Sequence, residues 1–242
     1  MTRRTVLWLS AVAMLAVLVA YQVVVTSVGE RDREFAARAD VPTLQPGVDV
    51  LGGITVVPLR IRRYDYRRAA FGDAWTDDND APGGHNGCDT RDDVLNRDLV
   101  DKTNVWTKRC PDAVETGTLH DPYTSDTINF HRGAKVGEAV QIDHIVPLAL
   151  AWDMGAYDWA FAQRVGFAND PANLLAVQGQ ANQDKGDSQP ALWMPPNHAF
   201  WCQYAMQYLA VSRGYALPVD RASADVLRHA AATCPAAQPG PG

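Results

Sequence analysis

The sequence predicts an α+β fold, in which one mainly helical domain contains a few short strands and follows an N-terminal apolar helix. Three observations support this prediction. The chain has 242 residues, of which 47% are hydrophobic and 21% charged, and this composition excludes disordered, collagen-like and polytopic membrane classes. Apolar runs at helical spacing outweigh the short alternating runs. No internal repeat is present, so we expect a single domain of about 180 residues.

An apolar segment opens the chain. Residues 6–25 are apolar with three exceptions, and Arg3 and Arg4 precede them. Twenty helical residues span about 30 Å, the thickness of a bilayer core, and the arginines place the N-terminus in the cytoplasm. We predict that residues 1–27 form a signal anchor, in preference to a cleaved signal peptide. Both alternatives export the remaining chain, either as a single-pass cell-membrane protein with an extracytoplasmic domain or as a secreted protein.

Composition sets the other domain boundaries. Residues 28–50 carry charge, Pro and Gly without a sustained apolar period, which predicts a linker. Residues 235–242 (PAAQPGPG) predict a disordered tail. The folded domain is therefore expected at 51–234.

Four cysteines agree with export, because an even number in an oxidising compartment favours disulfides. They are Cys88, Cys110, Cys202 and Cys234. No two are closer than 22 positions, which excludes zinc and redox sites of the CxxC type. Of the three possible pairings we favour Cys88 with Cys110 and Cys202 with Cys234, since each closes a local loop. Buried free thiols are the alternative.

The first half of the domain contains few predicted elements. Residues 54–61 alternate in polarity and predict a strand. A helix is predicted at 91–100, with Thr90 as its N-cap. Asp, Pro and Ser at 121–126 are typical of a turn, and the β-type run at 127–130 after it predicts a strand.

The middle of the domain alternates between short strands and helices. A β-type run predicts a strand at 139–142, and apolar residues at helical spacing predict a helix at 148–167 with a break near Gly155. The NLLAV run at 173–177 predicts a second strand. A further helix is expected to begin at 180–185.

Two longer helices close the domain, and both are predicted from their N-caps. Asn197 begins one that runs to about residue 211, and Ser223 begins one that runs to about residue 232. Helices therefore outweigh short strands, which is the basis of the α+β assignment.

One strand, loop, strand and helix passage concentrates the polar residues that suit chemistry. Asp143 and His144 are adjacent at the end of a predicted strand, just before a proline. Consecutive strand residues point in opposite directions, so one can bind a metal while the other faces a substrate. Asn173 opens the next strand, and Asn182 follows nine positions later on the helix that carries Lys185. Each residue alone is weak evidence, but their order and spacing together form a much stronger signal.

This passage resembles the HNH endonucleases, also called the His-Me finger or ββα-metal group. It is most similar to the branch that forms the C-terminal part of GmrSD-type restriction endonucleases and short exported nucleases. The similarity runs from about Tyr66 to Leu217. Its matching stretches are Tyr66, Arg68, Phe71-Gly72, Trp75, 87–91, 121–124, 140–144, 167–170, 173–177, Trp193 and 195–197. The resemblance implies a ββα-metal finger core embedded in the helical domain.

The resemblance also implies roles for four residues. His144 becomes the general base and Asp143 a metal ligand. Asn182 stands where many relatives have their last histidine and becomes the second ligand. Asn173 joins the catalytic group, because its side chain ties the loop bearing His144 to the opposite strand. An imidazole can accept a proton near neutral pH, and carboxylate and amide oxygens suit Mg²⁺, with Mn²⁺ or Zn²⁺ as other possible metals.

Net charge limits how this chain can meet nucleic acid. The 28 acidic and 22 basic residues give a charge of −6, which argues against tight nonspecific binding. One arginine-rich patch, with Tyr64 and Tyr66 interleaved, consists of Arg60, Arg62, Arg63, Arg67 and Arg68. We predict substrate contacts from Arg67, Arg68, Lys185 and Arg164. The alternatives are an arginine-decorated outer strand face for the patch, and solvated side chains for Lys185 and Arg164.

We therefore expect an exported, metal-dependent endonuclease that hydrolyses phosphodiester bonds of nucleic acid, DNA rather than RNA. The N-terminal helix would add a membrane contact if it is retained, and no obligate protein partner is inferred. The alternative is a catalytically inactive extracellular binding module that keeps the HNH fold. A zinc peptidase is excluded, because the chain lacks an HExxH pair.

Overall fold

The computed structural model describes residues 42–45, 47–133 and 138–236, together with Met14, Leu18 and Gln22. Within these residues no helix combines the length and the apolar character that crossing a bilayer requires. The rest of the predicted apolar helix lies outside the described residues, as do most of the predicted linker and the last six residues of the predicted tail. These three assignments stay predictions.

The described residues form a mixed α+β fold, as predicted, with six α-helices and three small sheets. The helices are α1 (Thr90–Asp98), α2 (Leu148–Asp153), α3 (Phe161–Asn169), α4 (Gly179–Lys185), α5 (Trp201–Gly214) and α6 (Arg221–Ala231). The strands are β1 (Val56–Val57), β2 (Val100–Thr107), β3 (Cys110–His120), β4 (Thr127–His131), β5 (Val140–His144), β6 (Leu174–Gln178) and β7 (Val219–Asp220). Short 3₁₀ turns cover Arg68–Phe71, Ala156–Asp158, Pro171–Asn173 and His198–Phe200.

The sheets have simple topologies. Strands β2, β3 and β4 form an antiparallel meander, and β1 pairs in parallel with β7. Strands β5 and β6 pair antiparallel, with Val140 opposite Gln178 and His144 opposite Leu174. Helices α2 and α3 lie between β5 and β6 in the chain, and α4 follows β6 directly. The passage that carries the predicted site is thus a strand, strand, helix unit.

Predicted elements in the middle of the chain are confirmed to within two residues. The strands predicted at 139–142 and 173–177 are β5 and β6, and the helix predicted at 180–185 is α4. The predicted helix at 148–167 breaks near Gly155, as expected, into α2 and α3.

The N-terminal half of the domain differs more from the predictions. The strand predicted at 54–61 is reduced to Val56–Val57, because the chain beyond it turns Arg60 inward, where its side chain is only 3% exposed. The β2–β3 hairpin was not predicted. Strand β2 is exposed along almost its whole length, so its sequence lacks the alternation that identifies a half-buried strand.

Two predicted N-caps are wrong by one and three residues. Helix α1 includes Thr90, and its cap is Asp89, whose side chain accepts the Asp92 backbone N–H at 2.9 Å. Helix α6 is capped by Asp220, whose side chain accepts the Ser223 backbone N–H at 3.0 Å. In both helices an aspartate preceding the predicted cap has the extended backbone that an N-cap requires.

Two apolar cores lie on either side of the β5–β6 pair. Helices α2, α3, α5 and α6 enclose the larger one, and Val177 of β6 packs into it. The smaller core joins α1, β3 and β4 to Val140 and Ile142 of β5. Both predicted disulfides form, Cys88 with Cys110 and Cys202 with Cys234. The β5–β6 pair is therefore held from both faces, which suits a rigid site.

The ends of the domain extend beyond the predicted boundaries. Leu44, in the predicted linker 28–50, forms a parallel bridge with Ala236 of the predicted tail 235–242. Val50 is buried and belongs to the larger core. The described ends of the linker and tail thus pack against the domain.

Candidate active site

The predicted site residues meet at a cleft of about 360 Å³. Asp143 and His144 reach it from the end of β5, and Asn182 reaches it from α4. Because side chains alternate along a strand, Asp143 and His144 point to opposite faces of β5. Tyr66 and Arg68 line the same cleft. The cleft thus joins residues that are far apart in the sequence.

His144 is buried and held by a hydrogen bond and a stacked ring. Its Nε2 lies 2.9 Å from the Ala168 carbonyl oxygen near the end of α3. A carbonyl can only accept, so Nε2 carries the proton and Nδ1 keeps the lone pair of the neutral ring. The Trp75 ring stacks on the imidazole, with centroids 5.4 Å apart and planes 12° apart.

The His144 ring is neutral over the physiological range. Burial lowers its pKa to about 3, and the nearby positive charge of Arg68 contributes to the decrease. The hydrogen bond to the Ala168 carbonyl acts in the opposite direction but is outweighed. A neutral imidazole with an available lone pair at Nδ1 can accept a proton from water.

Asp143 is buried on the other face of β5 and is already hydrogen-bonded. Its Oδ2 accepts from the Tyr123 hydroxyl and from the Lys185 ammonium, each at 2.5 Å. Burial raises the pKa of Asp143 and lowers that of Lys185, while the attraction between the two charges opposes both shifts. The carboxylate therefore belongs to a buried network of three side chains.

Lys185 occupies a different place from either sequence-based alternative. A phosphate contact and a solvated side chain both require an ammonium at the surface, but Lys185 is 1% exposed. Its Nζ also donates to the His144 carbonyl oxygen at 2.7 Å. The prediction that Lys185 binds substrate directly is wrong, because the ammonium lies beneath Asp143.

Asn173 clamps the chain that follows His144. Its Oδ1 accepts from the Val146 backbone N–H at 2.8 Å, and its Nδ2 donates to the Val146 carbonyl at 3.2 Å. The Asn173 carbonyl accepts from the Ile145 backbone N–H at 2.9 Å. These bonds join the loop after β5 to the start of β6, which is the geometry that the resemblance implies. A catalytic role for Asn173 stays a prediction.

The donor set of the cleft fits a hard divalent cation. Asn182 donates from Nδ2 to Gln141 Oε1 at 2.9 Å, which orients its amide oxygen independently of Asp143. Among the described residues no cluster of three or more His, Cys, Asp or Glu could hold a metal. One carboxylate and one amide oxygen leave most positions for water and phosphate, which suits Mg²⁺ better than zinc.

Of the four cations predicted to bind substrate, Arg68 lines the cleft. Arg67 is exposed beside it but is not part of the lining. Arg164 donates to the carbonyl oxygens of Ala70 and Trp159. Its guanidinium is half-buried and is not part of the cleft lining, and a substrate contact from Arg164 stays a prediction.

The predicted arginine patch is largely neutralised within the fold. Buried Arg60 pairs with Asp153 at 2.7 Å and with Asp187 at 3.0 Å. Arg62 also pairs with Asp187, at 2.8 Å, and Arg63 pairs with Asp65 at 2.7 Å. These acids cancel much of the local positive charge, and the segment is not an outer strand face either.

Sequence reasoning missed three contributors to the site. Trp75 covers His144, Tyr123 holds Asp143, and the Ala168 carbonyl orients the imidazole. All three lie in stretches that are similar to the HNH endonucleases, and that similarity is the one sequence signal that could have identified them. The sequence around Tyr123 instead predicts a turn.

Comparisons with known proteins show that most of the site lies in a region that matches a known protein family. The family model for the C-terminal domain of GmrSD restriction endonucleases matches residues 89–230. A protein of Arthroderma benhamiae (strain ATCC MYA-4681 / CBS 112371), described as an uncharacterized secreted protein, is 39% identical over 150 residues, which cover 61% of this chain and 68% of that protein. No solved structure matches significantly. The matched region contains Asp143, His144, Asn173 and Asn182, whereas Arg68 and Trp75 precede it.

Proposed function

Because the chain belongs to the family of GmrSD restriction endonuclease C-terminal domains, we propose that it is a metal-dependent endonuclease that hydrolyses phosphodiester bonds, preferably of DNA. The observation that carries the proposal is the neutral His144, whose Nδ1 lone pair is free of the Ala168 contact and which shares a cleft with Asp143 and Asn182. The order of β5, β6 and α4 supports a ββα-metal finger as the core of this site.

In this mechanism His144 is the general base. Its Nδ1 takes a proton from the water that attacks phosphorus. The Ala168 carbonyl keeps its hydrogen bond to Nε2–H while the ring becomes positive, and the nearby C-terminal end of α3 favours that positive charge. Trp75 restricts rotation of the ring. The fixed ring thus presents one nitrogen to the cleft.

Asp143 and Asn182 would hold the divalent metal, and their hard oxygen ligands suit Mg²⁺. When bound, the metal supplies positive charge that offsets the charge developing on the phosphate and the leaving 3′ oxygen. Asn173 keeps the loop after His144 in register with β6. Arg68 attracts the phosphate from the rim of the cleft.

The proposed substrate lies outside the cytoplasm. The relative from Arthroderma benhamiae is described as secreted, and this chain forms two disulfides, which are typical of oxidising compartments. Both observations support export. The membrane anchor at residues 1–27 stays a prediction.

Plasmid cleavage tests the function. The purified full chain with both disulfides intact is incubated with supercoiled DNA and Mg²⁺, with EDTA as the negative control. We expect nicked and linear products, and a loss of about 10²- to 10⁴-fold in rate for His144→Ala, the usual contribution of a general base. The matched control is His131→Ala, an exposed histidine on β4, which should cleave like the wild type.

The same assay decides between the enzyme and its alternative. Intact DNA and RNA with Mg²⁺, Mn²⁺ and Zn²⁺ would overturn the proposal. Binding of a labelled oligonucleotide without any cleavage would favour the catalytically inactive binding module instead.

A further inference from the structure

Lys185 is a buried charge that the proposed mechanism does not use. Its side chain is fully enclosed, and its ammonium donates to Asp143 Oδ2 and to the His144 carbonyl. A buried ammonium is costly unless it is paired and hydrogen-bonded. Both contacts are to residues on which the proposed chemistry depends, so Lys185 is structurally part of the site.

The position of Lys185 follows from the spacing along α4. Asn182 and Lys185 are three residues apart and therefore lie on the same helix face, from which Asn182 contacts Gln141 and Lys185 contacts Asp143. One helix face thus presents to β5 both a proposed metal ligand and a fixed positive charge. The Lys185 ammonium already binds the Asp143 carboxylate, to which the metal would also have to bind.

The two cations would use different oxygens of one carboxylate. Tyr123 and Lys185 both donate to Oδ2 of Asp143. Among the described residues no side chain donates to Oδ1, and the His144 backbone N–H also hydrogen-bonds to the carboxylate. A divalent metal at Oδ1 would lie only a few ångströms from the ammonium. Like charges at that separation repel strongly where water is excluded. The ammonium therefore opposes metal binding while it stabilises the empty carboxylate.

We propose that Lys185 is an internal counter-cation of the metal site, which holds Asp143 in place without metal and weakens the binding of divalent metal. The inference rests on the proposed function and specifies its metal dependence. A fixed ammonium makes the folded site independent of metal and makes metal binding weak and reversible. Lys185 is thus a positioning residue that sets metal affinity.

Direct metal binding tests the proposal independently of catalysis. Mn²⁺ is titrated into the full chain, and free Mn²⁺ is followed by electron paramagnetic resonance. Lys185→Met, which keeps the length and removes the charge, should bind Mn²⁺ roughly tenfold more tightly, because the repulsion is gone. Its melting temperature should be lower than wild type without metal and should rise more on saturation with Mn²⁺.

Three further variants separate charge from other effects. Lys108→Met removes an exposed lysine from the β2–β3 turn and should leave the Kd for Mn²⁺ unchanged. Lys185→Arg keeps the charge and should bind close to the wild-type value. Adding Asp143→Asn to Lys185→Met should abolish the gain, which assigns the tighter binding to this carboxylate.

Lys185→Gln serves as the second neutral variant if Lys185→Met does not fold, because its amide retains a hydrogen-bond donor. An unchanged or weaker Kd for Mn²⁺ in a folded neutral variant, with wild-type plasmid cleavage intact, would overturn the counter-cation inference alone. A wild type that neither binds Mn²⁺ nor cleaves plasmid would overturn the proposed function itself.

Discussion

At the scale of single residues, the sequence locates the two residues proposed to carry the chemistry but not their partners. Asp143 and His144 stand out because they are adjacent at a strand end before a proline. Their environment comes from far along the chain, since Trp75 and Tyr123 precede them and Ala168 follows by 24 positions. No local pattern encodes those contacts. They decide which nitrogen of the imidazole is free and which carboxylate oxygen is occupied.

The buried histidine makes stability depend on pH. Burial lowers the folded pKa of His144 to about 3, whereas an unfolded histidine titrates near 6.5. Between these two pH values the unfolded state binds a proton that the folded state does not. The contribution of His144 to the free energy of unfolding is therefore fully present above about pH 6.5 and is lost as the pH falls. In this range the free energy of unfolding changes by up to about 1.4 kcal/mol per pH unit.

This contribution should disappear in His144→Gln. We would unfold the wild type and the variant in urea between about pH 5 and pH 6.5, where the upper limit is the unfolded pKa. The difference between the two proteins isolates the His144 contribution, because all other titrating groups are common to both. The wild-type free energy of unfolding should fall more steeply with decreasing pH. Parallel pH profiles would contradict the assignment of a buried neutral imidazole.

At the scale of elements, predictability follows burial. Strands β5 and β6 are each predicted within two residues, because their apolar residues pack into cores on a regular period. Strand β2 faces solvent on almost all sides, and its pairing with β3 is not encoded in a local alternation. The caps at Asp89 and Asp220 were missed because Asp, Thr and Ser are all good caps, and only the backbone decides among them.

The junction between β6 and α4 tolerates no side chain at its first helical residue. A Cβ at Gly179 would lie 1.8 Å from the Glu138 carbonyl oxygen, so Gly179→Ala must move α4 away from the start of β5. We expect a loss of about 1–3 kcal/mol in the free energy of unfolding, typical of overpacking. Because α4 carries Asn182 and Lys185, nuclease activity should fall as well.

Gly166→Ala is the matched control for this change. Gly166 lies inside α3, where an added Cβ meets nothing within 4 Å, so the variant should be more stable by about 0.5–1 kcal/mol. Urea unfolding of both variants checks the pair. A stable, active Gly179→Ala protein would show that the helix is not held at this distance from β5.

At the scale of the whole molecule, folding redistributes the charge that the sequence displays. The arginines at 60, 62 and 63 suggested a basic patch, but they pair with Asp153, Asp187 and Asp65. Asp153 and Asp187 lie roughly a hundred positions away from them, and linear charge counting cannot find such partners. With a net charge of −6, the molecule has little general attraction for a polyanion. If the proposed function is right, engagement of the nucleic acid must therefore depend on a few local cations at the cleft.

Arg68 and its neighbour Arg67 offer a direct test of that local dependence. Both are exposed, but Arg68 lines the cleft and Arg67 does not. Losing one phosphate contact should reduce the slope of log(kcat/KM) against log salt concentration by about 1. We expect this change, together with a lower kcat/KM, for Arg68→Ala on a labelled DNA duplex. Arg67→Ala should keep the wild-type slope, and equal effects of the two variants would mean that substrate responds to the general field of the surface instead of to a contact at the cleft.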